Sequence, residues 1–471
     1  MATFVGRDRE LDTLQRALER TAGATRQDRS GRCLLVRGRR RVGKSRLVEE
    51  FCARAGVPYL FFTASQQGRN ELRHFADEVR SSNLPGRHLF DGIALTDWDG
   101  ALALLDAALP PDGPAVVVFD EFPYLTGGDT SIEATFQKQW DRVLSRRHVL
   151  LLLVGSDLAM MEALNTYGRP FHQRGTEMVV SALTPGETAR IVGAPSAAAA
   201  FDAHLITGGL PLVCDDWPKG RSMWTFLESA LAEPTSPLIV SGERMLAAEF
   251  PAEVVPREVL RQIGSGERTF SNIARASGGL QATSTTRALD VLMAKRVVAK
   301  EVPLSTRKSV EAHYRVDDPY LRFWLRFIGP GMADIERGRS DRVVERIRRD
   351  WQAWRGRTIE PVVREALRRL SPIDGLADAD AVGGFWTRTN DPEIDIIGAD
   401  RGPIAKHLRY AGTIKWTERT PLDQADVDRL ARDLASVPGA PADLPLLAVS
   451  LSGVKARVAA SLGPEELLAA F

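Results

Sequence analysis

The sequence predicts a multidomain α/β protein: a doubly wound parallel sheet first, then a helical stretch, then a separate α/β unit at the end. Three observations predict this. The chain has 471 residues, too many for one ordinary domain of roughly 100–200. In its first part, short apolar runs alternate with helical patterns, as expected of strands covered by helices on both faces. After Pro185 helical patterns take over, and strand-like runs return mainly toward the C-terminus.

Residues 8–21 form an amphipathic pattern with Leu11, Leu14 and Leu18 on one face. A polar loop, TRQDRSGR, follows. Five runs then read as buried strands: CLLVR (33–37), VPYLFFTA (57–64), AVVVFDE (115–121), VLLLLVGS (149–156) and EMVVSAL (177–183). Helical patterns at 44–55, 97–109 and 131–146 connect them. The boundaries expected on this pattern are a sheet domain at 1–184, a helical lid at 185–245, a winged helix-turn-helix with its extension at 246–333, an arginine-rich linker helix at 334–357, and a last α/β unit at 358–471.

Composition excludes several classes. Hydrophobic residues make up 44% and charged residues 26%, a globular balance. A net charge of +1 gives no whole-chain attraction to nucleic acid, so any basic surface is local. Cys33, Cys52 and Cys214 are scattered and fit neither a disulfide framework nor a zinc site. That points to a reducing, cytoplasmic setting. No apolar run approaches the roughly 18 residues of a membrane span, and the charged start MATFVGRDREL is unlike a signal peptide.

The stretch Gly38-Arg39-Arg40-Arg41-Val42-Gly43-Lys44-Ser45 fulfils the pattern G-x-x-x-x-G-K-S/T between an expected strand and an expected helix that continues through Arg46. Backbone N–H groups of such a loop curl around phosphates. Lys44 reaches the terminal phosphate oxygens, Ser45 ligates Mg²⁺, and the helix N-terminus adds positive potential. The run VVVF then delivers Asp120 and Glu121 to the carboxyl edge of the sheet, where open α/β folds bind ligands. Asp120 is expected to hold Mg²⁺ and Glu121 to polarise the attacking water of phosphoryl transfer. Ser156, at the end of the fourth run, reads equally as a contact to phosphate or water and as an ordinary strand-end serine. Arg174, in the loop GRPFHQRGTE, is a candidate for completing a neighbouring copy's site.

In order, FVGRDREL, GRRRVGKS, VVVFDEFPYL, LLLVGSDLAMM, RPFHQRGT and GGLP resemble the archaeal-type ATPases of the STAND/AAA+ group of P-loop ATPases. The resemblance implies ATP and Mg²⁺ as cofactors, with Phe4, Val5, Gly6 and Arg7 near the adenine. It matches Arg174 to the arginine of a Pro-Leu-Tyr-Gly-Arg motif, with His172 and Gln173 in place of Tyr and Gly. It matches Gly209-Leu210-Pro211 to a lid element whose proline, Pro211, approaches the base or phosphate; without the resemblance, these residues are a helix-ending turn. Arg39, Arg40 and Arg41 fall at variable loop positions and are expected to face solvent or acidic neighbours.

In the middle, helices at about 257–263, 270–276 and 283–295, a Gly278-Gly279 turn, and the runs VVAKEV and HYRV have the cadence of a winged helix. Thr269 is the expected N-cap of the second helix. Leu289, Leu292 and Met293 face the core, and Thr283, Ser284, Thr286 and Arg287 sit where a recognition helix meets a major groove. Such a module reads equally as a double-stranded DNA reader and as a packing or protein-binding element. Tyr320, Phe323, Trp324 and Phe327 recur at helical spacing and read as core. Arg342, Arg346 and Arg349 form a stripe that reads first as a solvated face paired with Asp341 and Glu345.

Toward the C-terminus, Glu360 lies on a helix, Glu393 and Asp395 on a strand, and Lys415 on the next strand. This layout resembles PD-(D/E)XK nucleases, in which carboxylates hold Mg²⁺ and the lysine orients a water. Thr413 stands where that pattern has an acidic or amide side chain, and threonine is a weak, neutral ligand. The leading expectation is therefore a nuclease-like fold kept for binding or packing. Two functions follow for the whole chain. One is an ATPase that acts on DNA. The other is an ATP-gated switch with an inactive nuclease-like domain and a protein partner, assembling as a homo-oligomer if Arg174 acts in trans.

Overall fold

The computed structural model describes residues 4–23, 29–65, 70–127, 130–250 and 253–471. It divides into two compact units, 1–182 and 183–471.

The first unit is a five-stranded sheet of β1 (Arg32–Arg37), β2 (Tyr59–Thr63), β3 (Ala115–Asp120), β4 (Val149–Gly155) and β5 (Thr176–Val179). The order is β2-β3-β4-β1-β5, and all neighbours are parallel. Alternate residues separate into two cores. Leu34, Val36, Val116, Val118, Leu150 and Leu152 face one layer of helices, including Lys44–Arg54. Cys33, Leu35, Val117, Phe119, Leu151 and Leu153 face the other, where Phe75, Trp98 and Phe136 pack around Phe119. Both faces are apolar because both are covered. The order places β4 between β1 and β3, so the carboxyl ends of these three strands converge on one edge.

The second unit begins with helices between Pro185 and Glu249. A winged helix-turn-helix follows: helices Val254–Ser265, Phe270–Ala276 and Ala282–Ala294, then the antiparallel pair β6 (Val298–Glu301) and β7 (His313–Val316). Thr269 caps the second helix by accepting from the Asn272 backbone N–H at 3.4 Å. Gly278 and Gly279 form the turn at φ 83° and 74°, a region that glycine enters freely. Leu289 and Leu292 are buried, as are Tyr320, Phe323, Trp324 and Phe327.

A long helix, Ser340–Thr358, leads into Glu360–Leu370 and a second sheet: β8 (Ala381–Trp386), β9 (Glu393–Ala399), β10 (Leu408–Lys415), β11 (Leu446–Ser450) and β12 (Ala460–Leu462). Its order is β12-β11-β10-β9-β8; the β8–β9 and β9–β10 pairs are antiparallel and the rest parallel. The expected linker stripe finds different acids from those expected. Arg346 pairs with Asp334 of the preceding short helix at 3.2 Å, and Arg349 with its neighbour Asp350 at 3.1 Å. Among the described residues, no helix is long and apolar enough to cross a membrane.

Candidate nucleotide site and nuclease-like centre

The loop Gly38–Gly43 leaves β1 and enters the helix Lys44–Arg54. Two glycines make its path possible. A Cβ on Gly38 would lie 2.2 Å from the Val180 carbonyl oxygen, and Gly43 turns the chain at φ 89°. Arg41 also sits in the left-handed region, at φ 68°. Val42 is buried in the core beneath the loop.

Lys44 is buried, and its Nζ donates to the carbonyls of Gly38 (2.9 Å) and Arg39 (3.0 Å). Burial pulls its pKa down to about 8, while the nearby charges of Glu121 and Asp120 work against the fall. The ammonium therefore sits inside the loop with two carboxylates near it. Burial raises the Asp120 pKa, and a hydrogen bond from the Ser45 hydroxyl opposes the rise. One hydroxyl and one carboxylate, both hard oxygen donors, suit Mg²⁺, which keeps several waters and takes phosphate oxygens as further ligands.

β3 ends at Asp120, one residue short of the expected run. Glu121 falls outside the strand at φ 50°, ψ 40°, and its N–H donates to Asp120 Oδ1 at 3.0 Å. The turn separates the two carboxylates. Asp120 stays buried at the strand end, and Glu121 swings across to β4, where Ser156 Oγ donates to both its oxygens at 3.0 and 2.9 Å. Ser156 is thus a partner of Glu121.

The other candidates have intramolecular partners. Arg40 donates to the Tyr124 hydroxyl at 2.7 Å, and Arg46 is exposed. Arg174 Nε donates to both oxygens of Asp141 at 3.0 Å, and its Nη1 to the His172 carbonyl. Arg7 is 4% exposed and spans 174 residues of sequence, donating to the carbonyls of Val42 (2.8 Å) and Ser181 (2.6 Å). Its contacts brace the loop Gly38–Gly43. Pro211 opens the short helix Pro211–Asp215 of the second unit.

In the second unit, Glu360 is the first residue of its helix, Glu393 and Asp395 lie on β9, and Thr413 and Lys415 on β10. Asp395 accepts from Thr413 Oγ1 (3.1 Å) and the Ile414 N–H (2.7 Å). Lys415 is ion-paired with Asp426 at 2.6 Å, Glu360 with Arg364 at 3.0 Å, and Glu393 with Arg268 through two bonds of 2.6 and 2.7 Å. Burial raises the pKa of both Glu360 and Asp395; Arg364 opposes the rise at both, as do the bonds from Ile414 and Thr413 at Asp395, while nearby carboxylates add to it. Among the described residues no group of three or more His, Cys, Asp or Glu side chains is placed to hold a metal, so Glu360, Glu393 and Asp395 do not form one.

Sequence reading missed Arg268 and Asp426. Asp426 carried a local signal, because Asp423 and Asp426 form a capping box at a helix start. Arg268 carried none, since its partner is 125 residues away.

With this geometry in view, the chain can be set beside known proteins. Residues 324–429 match a family described as archaea bacterial proteins of unknown function. An uncharacterized protein of Methanocaldococcus jannaschii is 24% identical over 439 residues, spanning 92% of this chain and 91% of that protein. Among solved structures, the Walker-type ATPase of Pyrococcus abyssi is 20% identical, covering 69% of this chain and 96% of that one with a TM-score of 0.48. The Aeropyrum pernix ORC2 protein, solved with ADPNP and ADP, is 15% identical, covering 73% and 96% with a TM-score of 0.47.

Proposed function

We propose that this chain binds ATP with Mg²⁺ at Gly38–Arg46 and hydrolyses it. The observation that carries the reading is the buried Lys44 ammonium, closed onto the loop carbonyls of Gly38 and Arg39 with Asp120 and Glu121 nearby. Those carbonyls hold the ammonium where a phosphate would take it over. Loop N–H groups and Lys44 would bind the β- and γ-phosphates, and Ser45 and Asp120 would hold Mg²⁺. The metal ion, when bound, supplies charge neutralisation on the phosphates. Glu121, held by Ser156, orients the attacking water. Three buried free thiols support a reducing, cytoplasmic compartment.

The ATPase would drive contact with double-stranded DNA through the helix Ala282–Ala294. Thr283, Thr286 and Arg287 are exposed on it, and Ser284 is half-buried beside them. The second reading is an ATP-gated switch that does not cut. It is favoured by the ion pairs that occupy Lys415, Glu360 and Glu393.

Steady-state ATP turnover, with and without double-stranded DNA, tests both. Turnover is expected in the intact chain, and Lys44→Ala should abolish it. Glu121→Gln should bind ATP but lose about 10²-fold or more in kcat. Turnover that survives Lys44→Ala overturns the site. Stimulation by DNA supports the DNA reading. Indifference to DNA, with the DNA whole on a gel, supports the switch.

A further inference from the structure

A cavity of about 410 Å³ lies within the second unit, between the winged helix, the end of the helix Ser340–Thr358, and β8 and β9. This volume is in the range of small-molecule sites, roughly 300–1,000 Å³. Seven arginines and five carboxylates line it, an excess of positive charge in a chain that is nearly neutral.

The donors are arranged for an anion. Arg322 lies on the wall with its Nε and Nη2 on the Val316 carbonyl (3.0 and 2.7 Å) and its Nη1 3.4 Å from the Thr358 carbonyl. Its hydrogen-bond partners are neutral, while the nearby carboxylates of Asp317, Glu301 and Asp318 favour its charge. Burial draws its pKa down to about 10. Arg357 lines the cavity as an exposed residue, and its side chain has no hydrogen-bond or ion-pair partner among the described residues. At the rim, Arg268 grips Glu393 in a two-bond fork, the geometry with which arginine also takes phosphate.

The wall also has a flat apolar part. Trp386 is 4% exposed and stacks on His313, with ring centroids 4.1 Å apart and an interplanar angle of 6°. The Trp386 indole N–H has no partner among the described residues, although buried donors are nearly always satisfied. Among the described lining residues, the Arg357 guanidinium and the Trp386 indole N–H lack partners beside aromatic rings, as does the carboxylate of Glu267. A ligand that fits is rich in acceptor oxygens at one end and planar at the other.

We propose that this cavity binds a nucleoside monophosphate, its phosphate taken by Arg322 and Arg357 and its base lying against the Trp386–His313 stack. The volume of about 410 Å³ suits a single nucleotide. The site is separate from the phosphate loop, and the proposal depends neither on ATP hydrolysis nor on nuclease chemistry.

The test is titration calorimetry of AMP against the full chain carrying Lys44→Ala, which disables the phosphate loop. One AMP per chain is expected. Arg357→Ala, at an exposed position, should weaken it about tenfold or more, as loss of a charged hydrogen bond does. Trp386→Phe, which keeps a ring and loses the N–H, should weaken it less. Inorganic phosphate should bind more weakly than AMP. The proposal is overturned if AMP does not bind at millimolar concentration, or if Arg357→Ala and Trp386→Phe both leave its affinity unchanged. It is equally overturned if only a single-stranded oligonucleotide binds.

Discussion

Ser156 shows how much a single contact decides. A serine ending an apolar run reads equally as a phosphate or water contact and as an ordinary strand end, because its partner is chosen by strand order. Only when β4 lies between β1 and β3 does its hydroxyl meet Glu121. Under the proposed function Ser156 would position Glu121, and Ser156→Ala should lower kcat about 10- to 100-fold while leaving the Kd for ATP within about twofold, since positioning loss would fall on the water-activating step. A matched fall in affinity would mean that Ser156 touches nucleotide instead. Arg174 makes the complementary case. Its bidentate bond to Asp141 holds it within its own chain, so a role in a neighbour's site requires that bond to break. Asp141→Asn weakens the hold. If Arg174 acts in trans, this change should raise turnover at high protein concentration. If Arg174 is structural, it should lower the melting temperature and leave turnover per chain independent of concentration.

At the scale of elements, the strands and the loop Gly38–Gly43 were legible because their signals are local: four or five apolar residues, then glycine, then a helix start. Both turn glycines of the winged helix and the Thr269 cap were legible for the same reason. The turn that separates Asp120 from Glu121 was not: Pro123 marks a helix start nearby, but nothing in FDEFPY places the break between the two carboxylates. Nor was the role of the helix Ala197–Thr207. Its sequence, AAAAFDAHLIT, is small and apolar nearly all round, which suits a helix buried on every side. Phe201 and Leu205 join the core of the C-terminal sheet, whereas Ala203 and Ile206 join that of the lid and winged helix. His204 is carried into this interior, and burial alone draws its pKa down to about 4. The unfolded chain takes up this proton near pH 6.5 and the folded chain does not. Stability is therefore intact above about 6.5 and is lost as pH falls toward 4, by about 3 kcal/mol from this group. Melting curves of the parent and His204→Gln between pH 7.5 and 4.5 check it. The parent should lose stability faster on acidification, and parallel curves would refute the assignment.

The whole second unit depends on what happened to the wing. The runs VVAKEV and HYRV predict a paired wing, and β6 and β7 pair as expected. Here the segment after β6 is spent on packing. Leu304 donates its N–H to the Gly384 carbonyl and is buried in the core beside Phe385 and Ile397. The Ala405 N–H donates to Ser305, and the Thr306 N–H and hydroxyl both reach the Pro438 carbonyl. With the Arg268–Glu393 fork and the His313–Trp386 stack, these contacts bind the winged helix to the C-terminal sheet as one body. Contacts of such separation in sequence leave no local pattern, which is why the chain reads as separate modules. It follows that any nucleotide-driven motion carries the winged helix and this sheet together. Hydrogen exchange on the full chain tests this. The amides of Leu304, Thr306 and Ala405 should exchange at the rate of the β9–β10 amides in every nucleotide state. Leu304→Ala should cost about 2–4 kcal/mol, as a buried leucine does, and should speed exchange in β6–β7 and β8–β10 alike. Acceleration confined to the wing would show that the two halves open separately, and the recognition helix would then be free to move without the sheet.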